Sequence, residues 1–447
     1  MIAAFRARII QLATSDSLSA RAAQSGVWVA VGFVGQRGLQ FISNLILTRL
    51  LFPEAFGIMA LATVFLVGLA MFSDIGLKPA IIRDPRSRED HFLNTAWTIQ
   101  IVRGFGIFVA GGLLAYPASI IYGEPILLPL LVVMSSTAAI AGFQTVGLAT
   151  SERDLDFFKP TLVALSGQII SIIALVTLAW YWRSVWALAG GNVIGAIATV
   201  IVGHFVLNSH KHRIWFDKDS AQSIVRFGRW IMVSTIVTFL GGEGLRAVQA
   251  GFLTLSEFGV LSIAYMIAVI ATDLPTKLTG TIGLPALVEA YRSGPERMAR
   301  VLLQMRKRVL TIAIPMAVFV ALISVPLIEL LYDERYHDAG RYVTFLTLSN
   351  AISVVFAGYT AALLAMGQSR SYLHVTSFLA ASRIVGLVVG FAISGITGML
   401  LGIGLGNLAT LGFVWAIPSI RSLASKWLDL LAVAIATGPI FLVLLIQ

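Results

Sequence analysis

The sequence predicts an all-α membrane protein built from two similar bundles of about six helices each. Three observations predict this fold. Of its 447 residues, 57% are hydrophobic and 12% are charged, and a soluble protein of this length has too little interior to bury so much apolar surface. Apolar runs of about 20 residues, each long enough to cross a bilayer, recur along the chain. A short motif also occurs once in each half.

The apolar runs define twelve predicted membrane spans. These lie near residues 25–47, 56–77, 92–116, 126–149, 161–182, 185–207, 230–253, 257–283, 309–331, 342–366, 372–395 and 397–418. A thirteenth run lies near 427–446. The odd number leaves open whether the arrangement has 12, 13 or 14 transmembrane helices.

The lysines and arginines predict the orientation of these spans, because cytoplasmic loops of membrane proteins are rich in both residues. With the N-terminus inside, the cytoplasmic segments contain 24 of the 32 basic residues, and the opposite side contains four. We therefore expect a cytoplasmic N-terminus. The net charge of +10 has the same origin, and a nucleic-acid partner is not expected. The absence of cysteine excludes disulfides and thiolate metal sites.

An internal repeat relates the two halves. Phe56-Gly57-Ile58-Met59-Ala60-Leu61-Ala62 recurs 202 residues later as Phe258-Gly259-Val260-Leu261-Ser262-Ile263-Ala264. Each copy opens an even-numbered span after a short outward loop. Two halves of the same orientation predict lobes related by a pseudo-two-fold axis along the membrane normal, with a substrate cavity between them.

This repeat suggests how the chain is divided. The predicted segments are an interfacial N-terminal segment at 1–24, an N-lobe at 25–207, a cytoplasmic linker at 208–229, a C-lobe at 230–418 and a C-terminal segment at 419–447. In the twelfth span, Gly398, Gly402 and Gly406 recur every four residues. That spacing predicts close packing against a neighbouring helix.

Four arginines lie near the centres of predicted spans: Arg37, Arg103, Arg246 and Arg383. A charge at that depth costs about 2.5–3.5 kcal/mol on insertion, so four cost roughly 10–14 kcal/mol. We infer a hydrated, cationic cavity that receives an anionic substrate. Guanidinium groups favour phosphate, because their forked donors match its oxygens in a bidentate way.

The first span adds a polar stripe to this pattern. Arg37, Gln40, Asn44 and Thr48 recur at spacings of three and four, which places them on one helix face. Hydrogen bonding between helices needs only one or two such residues. The full stripe therefore favours a cavity wall.

In the seventh span, Glu243 precedes Arg246 by three residues, a spacing that allows an ion pair. Either the pair is purely structural, or Glu243 holds Arg246 until a substrate anion or a proton competes for it. Arg103 and Arg383 each have an alternative role as well, since either side chain could snorkel toward the membrane surface or pair with a carbonyl rather than face a cavity.

Two aspartates are candidates for coupling or gating. Asp74 and Asp273 lie toward the inner ends of their spans, and each is followed four residues later by a lysine, Lys78 or Lys277. A gate ion pair within each couple is one interpretation. Binding of a coupling proton or Na⁺ is the other, and no further cofactor is expected.

Two stretches resemble the polysaccharide transporter branch of the multidrug/oligosaccharidyl-lipid/polysaccharide (MOP) exporter superfamily. The first is Leu47-Thr48-Arg49-Leu50-Leu51-Phe52-Pro53-Glu54-Ala55-Phe56-Gly57, followed by Phe72-Ser73-Asp74-Ile75-Gly76-Leu77. The second is Glu243-Gly244-Leu245-Arg246 with the second copy of the repeat. The family often has Asp where this chain has Glu243, and many of its members have fourteen spans.

The resemblance implies a flippase in a bacterial inner membrane. Its substrate would be an undecaprenyl-diphosphate-linked oligosaccharide, a repeat unit of exopolysaccharide or O-antigen, moved to the periplasmic leaflet by alternating access. Arg37, Arg49 and Arg246 match family positions and become candidates for contact with the diphosphate. Membrane lipids are expected partners, and a polysaccharide polymerase with its chain-length machinery is a further candidate.

The sequence also bears on three other functions. A MATE-like exporter of small cationic molecules should have isolated acids and few arginines in its cavity, the opposite of this sequence. A lipid II flippase differs only in the sugar that it carries. A polysaccharide polymerase or ligase needs a large outward catalytic loop, whereas the longest such loop here has about ten residues. The sequence thus indicates a transporter and not an enzyme.

Overall fold

A computed structural model describes residues 18–84, 86–207, 212–270, 272–273 and 283–445, and this part of the chain is helical and contains no strand. Helices α1–α8 are Leu18–Leu50, Pro53–Phe72, Leu77–Arg83, Asp90–Ile121, Leu127–Gly142, Gly147–Arg153, Phe158–Trp182 and Val185–Val206. Helices α9–α17 are Lys218–Gly241, Glu243–Ala250, Leu255–Ala268, Leu284–Arg292, Pro295–Leu331, Asp338–Ala365, Ser369–Ala416, Pro418–Arg421 and Lys426–Leu445.

Every predicted span coincides with helix in the described residues. Seven of the helices described are each long and apolar enough to cross a membrane, and an eighth span results if the bent pair α5 and α6 is counted as one. The all-α polytopic fold is therefore confirmed. The N-terminal segment 1–24 lies mostly outside the described residues, as does the start of the linker.

Among the described residues, four of the predicted spans are not separate, continuous helices. The fourth bends by 59° between α5 and α6, and the seventh is interrupted at Gly242 between α9 and α10. The eleventh and twelfth run together as α15, which kinks at Ser394 and Gly395. Gly395 has φ +57°, a left-handed conformation that glycine adopts without steric cost.

Side chains from distant parts of the sequence bind the backbone at the bend of the fourth span. The side-chain amide of Gln100 donates hydrogen bonds to the carbonyls of Ala141, Gly142 and Gln144. The N–H of Val146 donates to His212 Nε2 at 3.2 Å. These contacts satisfy backbone groups that a break would otherwise leave unpaired, so the interruption is tolerated inside a membrane protein.

The two halves of α15 pack closely against each other. A Cβ atom at Gly402 would lie 1.9 Å from the carbonyl oxygen of Gly386, and one at Gly398 would lie 2.1 Å from that of Gly390. Neither position has room for a side chain. The prediction of close helix packing from the glycine spacing is confirmed.

The chain divides into two compact units. The first contains residues 1–51 and 61–236, and the second contains residues 52–60 and 237–447. The first unit has a buried cluster of Leu77, Ala80, Ile81, Phe92, Leu93, Ala96, Val146, Ala149 and Ile224. In the second unit, α14 is buried along most of its length and packs with α13 and α17 around Leu310, Val355 and Ala432.

The repeated motifs meet inside the second unit, to which residues 52–60 belong. A Cβ atom at Gly57 would lie 1.9 Å from the Leu255 carbonyl oxygen, and one at Gly259 would lie 1.9 Å from the Pro53 carbonyl oxygen. Pro53 and Leu255 are separated by 202 residues, as are Gly57 and Gly259. This contact is reciprocal, as a two-fold relation between the copies requires.

Candidate functional site

In the second unit, a charged cluster lies beside the break of the seventh span. Gly242 has φ −121° and ψ −93°, so α9 ends at Gly241 and its last carbonyls need partners. Arg383 Nη1 donates to the Gly241 carbonyl at 2.9 Å, and Arg383 Nε donates to Asn407 Oδ1 at 2.7 Å. Asn407 is itself buried and donates to the Ser349 carbonyl at 2.7 Å.

The alternative role considered for Arg383 is thus observed, since one nitrogen binds a carbonyl. The guanidinium ties the end of α9 to α15. Because Asn407 is fixed by Ser349, the position of Arg383 is determined by three separate helices. Such an arrangement holds a charged side chain in one orientation.

Arg246 lies on α10, just beyond the same break. Its Nη1 is 3.2 Å from Glu243 Oε2, and the two side chains are 22% and 30% exposed. The ion pair predicted from their spacing is therefore present, and it is only partly removed from solvent. The Arg246 guanidinium carbon lies 5.1 Å from the centroid of the Tyr265 ring, within the range of a cation–π contact.

One further residue, Gln249, completes what we call the Arg246 cluster: Glu243, Arg246, Gln249, Tyr265 and Arg383. The Tyr265 hydroxyl donates to Gln249 Oε1 at 3.1 Å, and Tyr265 also interacts electrostatically with Arg383. The Nε of Arg246 and the Nε2 of Gln249 are buried and have no hydrogen-bond partner among the described residues. An unpartnered buried donor costs about 1–3 kcal/mol, so an added acceptor oxygen would stabilise this cluster.

In the first unit, Arg103 caps the end of α2. Its Nη2 donates to the Ala70 carbonyl at 2.7 Å, and its Nε donates to Ser73 Oγ at 3.2 Å. A cation is favoured at a helix C-terminus, where carbonyl groups lack partners. The Asp74 carboxylate adds a favourable electrostatic interaction with the same guanidinium. The carbonyl-binding interpretation is therefore the one observed for Arg103 as well.

The gate ion pair expected between Asp74 and Lys78 is wrong. Asp74 Oδ1 accepts the N–H of Gly76 at 2.9 Å, and Lys78 Nζ lies 2.7 Å from Glu152 Oε1. The expectation assumed a continuous helix, in which residues four apart are neighbours. Instead α2 ends at Phe72 and Gly76 has φ +60°, so the chain turns between the two residues.

Asp273 is half-buried, and its expected partner Lys277 lies outside the described residues. The gating role of Asp273 therefore stays a prediction.

Along the predicted stripe on α1, burial is greatest at the C-terminal end. Arg37 Nη1 donates to Gln40 Oε1 at 3.2 Å, and the Arg37 guanidinium lies 5.8 Å from the Phe33 ring centroid. Arg37 and Asn44 are half-buried, whereas Thr48 is fully buried. Arg49, near the C-terminus of α1, is exposed. The structure thus brings Arg37 and Gln40 together, while Arg49 is available for contact with a ligand or solvent.

A second charged network was missed in the sequence. Arg306 binds Asp429, the Tyr359 hydroxyl and the Val355 carbonyl. Asp429 also accepts from the Tyr359 hydroxyl at 2.8 Å and from Trp415 Nε1 at 2.9 Å. Arg306 is 3% exposed and Asp429 is 0% exposed. Asp429 is the only charged residue between 427 and 446. Its isolation in an apolar run was the feature of the sequence that could have indicated a buried partner.

Between α3 and α4, Asp84 accepts two hydrogen bonds from the Arg86 guanidinium, at 3.2 and 3.1 Å, and one from Ser223 Oγ at 3.0 Å. The hydrogen bond from the Arg86 side chain lowers the pKa of Asp84 below its usual range, and partial burial opposes this effect. This cluster lies outside the predicted spans. It joins the α3–α4 loop to α9.

Comparison with known proteins gives the family. The sequence profile of a family described as polysaccharide biosynthesis protein matches residues 46–341. The chain is 23% identical to the succinoglycan biosynthesis transport protein ExoT of Rhizobium meliloti (strain 1021), over 76% of this chain and 68% of that protein. It is 22% identical to the lipopolysaccharide biosynthesis protein WzxC of Escherichia coli (strain K12), over 86% of this chain and 78% of that protein.

Solved structures show the same fold. A multidrug resistance MATE family transporter of the MOP superfamily, in an inward-facing conformation, superposes with a TM-score of 0.68 at 17% identity, covering 89% of this chain and 98% of that one. The lipid II flippase MurJ, in an inward closed conformation, has a TM-score of 0.67 at 14% identity, covering 94% of this chain and 99% of that one. The fold predicted from the resemblance is confirmed. ExoT and both of these solved structures have the names of transport proteins. The chain therefore belongs to the family described as polysaccharide biosynthesis protein.

Proposed function

We propose that the protein is an inner-membrane flippase that moves undecaprenyl-diphosphate-linked oligosaccharide repeat units from the cytoplasmic to the periplasmic leaflet by alternating access. One observation carries the proposal. In a chain of this family, Arg246 is partly exposed, is held by a single carboxylate oxygen, and lies in a cluster with Arg383 and unpartnered donors.

The chemistry of a diphosphate suits the Arg246 cluster. Its oxygens are acceptors only, and a guanidinium presents two parallel donors to such a group. Glu243 holds Arg246 while substrate is absent, and the diphosphate replaces Glu243 when it binds. Arg383 positions the break of the seventh span and adds positive charge. Arg37, Gln40, Asn44, Arg49 and Arg103 in the first unit are further candidates for contact with the headgroup.

The glycan is an exopolysaccharide or O-antigen repeat unit in this proposal. Support comes from the names of the relatives, a succinoglycan transport protein and a lipopolysaccharide biosynthesis protein. A proton or Na⁺ gradient resets the transporter, with Asp74, Glu243 and Asp273 as the acidic groups available for coupling. The N-terminus is cytoplasmic in accordance with the distribution of basic residues, and a polymerase with its chain-length machinery receives the product.

A reconstituted flipping assay tests the proposal. The protein is placed in vesicles with a fluorescent lipid-diphosphate oligosaccharide, and movement between leaflets is followed by accessibility to an added glycosidase. We expect flipping by the unchanged protein and a loss of at least tenfold in Arg246→Gln. The matched control is Arg297→Gln, because Arg297 is 56% exposed and lies at the start of α13, outside the predicted spans.

Three outcomes would contradict the proposal. Flipping by Arg37→Gln and Arg246→Gln at the normal rate would remove the site assignment. Transport of a quaternary ammonium compound without lipid flipping would favour the small-molecule exporter whose fold the chain shares. Preference for lipid II over other lipid-linked glycans would assign the chain the substrate of its structural neighbour MurJ.

A further inference from the structure

The described part of the linker between the repeated halves is not a free loop. Residues 212–217, which we call the strap, are extended along the first turns of α4. The N–H groups of Arg213, Trp215 and Asp217 donate to Asn94 Oδ1, Thr98 Oγ1 and Thr95 Oγ1, each at 3.0 Å. Every second backbone N–H of the strap is therefore bound by a polar side chain of one helix.

Both ends of the strap are fixed as well. At its start, His212 Nε2 accepts from Val146, at the bend between α5 and α6. At its end, the Asp217 carboxylate accepts from the N–H of Ser220 at 2.8 Å and so caps the first turn of α9. The strap thus has a defined position on the first unit, and its outward side chains form a defined surface.

That outward surface is apolar. Ile214, Trp215 and Phe216 are 76%, 51% and 66% exposed. The Trp215 ring lies 5.6 Å from the ring of His91, yet all three side chains stay at least half exposed. Three large, consecutive and exposed apolar side chains indicate a surface that something else covers. The flanking residues Arg213 and Lys218 are exposed and basic, as is Arg226 on α9.

The position of the strap along α4 identifies what covers it. Helix α4 has 32 residues and is about 48 Å long, whereas the hydrocarbon core of a bilayer is about 30 Å thick. The strap is bound within the first nine residues of α4, at one end of the helix. At the C-terminal end of α7, the residues Trp180, Tyr181 and Trp182 form another exposed aromatic group. Exposed aromatic residues at helix ends are typical of the membrane–water interface.

We propose that the strap lies in the headgroup region of the cytoplasmic leaflet and binds anionic lipids. Ile214, Trp215 and Phe216 enter the boundary between headgroups and acyl chains. Arg213, Lys218 and Arg226 contact lipid phosphates. Charge complementarity determines the choice of lipid, since exposed basic side chains next to an apolar anchor attract a negatively charged membrane surface.

The absence of cysteine makes a direct test possible with single spin labels. Ile214→Cys and Phe216→Cys are labelled in the full chain and placed in nanodiscs. Ile173→Cys is the lipid-facing control, because Ile173 is 60% exposed and lies in the apolar middle of α7. Asp219→Cys, at an exposed position two residues beyond the strap, is the water-facing control.

We expect the labels at positions 214 and 216 to collide more often with oxygen than with a water-soluble nickel complex. The lipid-facing control at position 173 should behave in the same way, and the water-facing control at position 219 should not. Collision ratios equal to that of position 219 would overturn the proposal and leave a soluble protein as the occupant of this surface.

Lipid specificity is tested by comparing phosphatidylcholine nanodiscs with mixed phosphatidylglycerol–phosphatidylcholine nanodiscs. The ratio at 214 should rise with phosphatidylglycerol and lose that rise in Arg213→Gln/Lys218→Gln. An identical ratio in both lipids would overturn the role of anionic headgroups.

Discussion

Two arginine–carboxylate pairs in the second unit have the same chemistry and opposite surroundings. Arg306 and Asp429 are 3% and 0% exposed and share partners on α13, α14, α15 and α17. Arg246 and Glu243 are 22% and 30% exposed and lie three residues apart on α10. The Nε atom of each arginine has no hydrogen-bond partner within the described part of the chain, so accessibility rather than a spare donor separates the two pairs.

The difference shows which kind of paired arginine can bind a ligand. A fully desolvated pair cannot exchange its partner, because separating the charges would leave each of them buried and uncompensated. A partly exposed pair loses much less when its partner changes. The Arg306–Asp429 pair is therefore structural, and the Arg246–Glu243 pair is suited to exchange with an anion.

The largest expected effect is on stability. Arg306→Met should lower the free energy of unfolding by about 3–5 kcal/mol, because it leaves Asp429 buried without its counter-ion. Thermal unfolding of the purified protein in detergent measures the change. The double variant Arg306→Met/Asp429→Leu should recover most of the loss, since it removes both charges. An unchanged unfolding temperature in the single variant would show that the network is not structural.

Arg246→Gln should have the converse effect. Hydrogen bonds to charged groups contribute about 1.5–3 kcal/mol, so flipping should fall roughly tenfold or more, while stability changes by less than about 1 kcal/mol as for exposed ion pairs. Flipping rate and unfolding temperature are measured on the same preparation. Arg246→Lys should restore little, because it keeps the charge and loses the forked donors. If Arg246→Gln lowered the unfolding temperature as much as Arg306→Met does, the Arg246–Glu243 pair would be structural as well.

Arg383→Gln should give an intermediate result. The change removes the bonds to the Gly241 carbonyl and to Asn407, and each unsatisfied buried group costs about 1–3 kcal/mol. Both stability and flipping should fall, because Arg383 holds the helix break beside Arg246. A variant that loses flipping at full stability would mean that Arg383 contacts the substrate and does not position the break.

The smallest effect concerns Asp84, which lies outside the spans. Its pKa is below the usual Asp value in the folded protein, so its contribution to stability is present above about pH 3.9, the value in unfolded chains. That contribution is lost as the pH falls through the folded pKa. Asp84→Asn should lower the unfolding temperature slightly at pH 7 and not at low pH. If the unfolding temperatures of Asp84→Asn and the unchanged protein differed equally from pH 3 to pH 7, the role of the Asp84 charge would be contradicted.

The helices and the candidate arginines were predictable because their signals are local. Apolar runs identified a helix at each predicted span, and the glycine spacing in α15 identified a close contact. The predicted Asp74–Lys78 pair failed because the turn at Gly76 was not recognised as a helix break. Tyr265 was missed for a different reason, since an aromatic residue in an apolar run gives no sign of the arginine that it contacts.

What the sequence determined by itself was the membrane fold, the repeat and the chemistry of its rare charged residues, since each follows from hydropathy, spacing and residue type. Only the tertiary structure decided which charges are enclosed. Arg306 counted as one of many basic residues near the cytoplasmic ends of spans, and it is buried because Asp429 reaches it from a helix more than 100 residues later. Burial depends on which helices pack together, and neither periodicity nor composition within one segment records that.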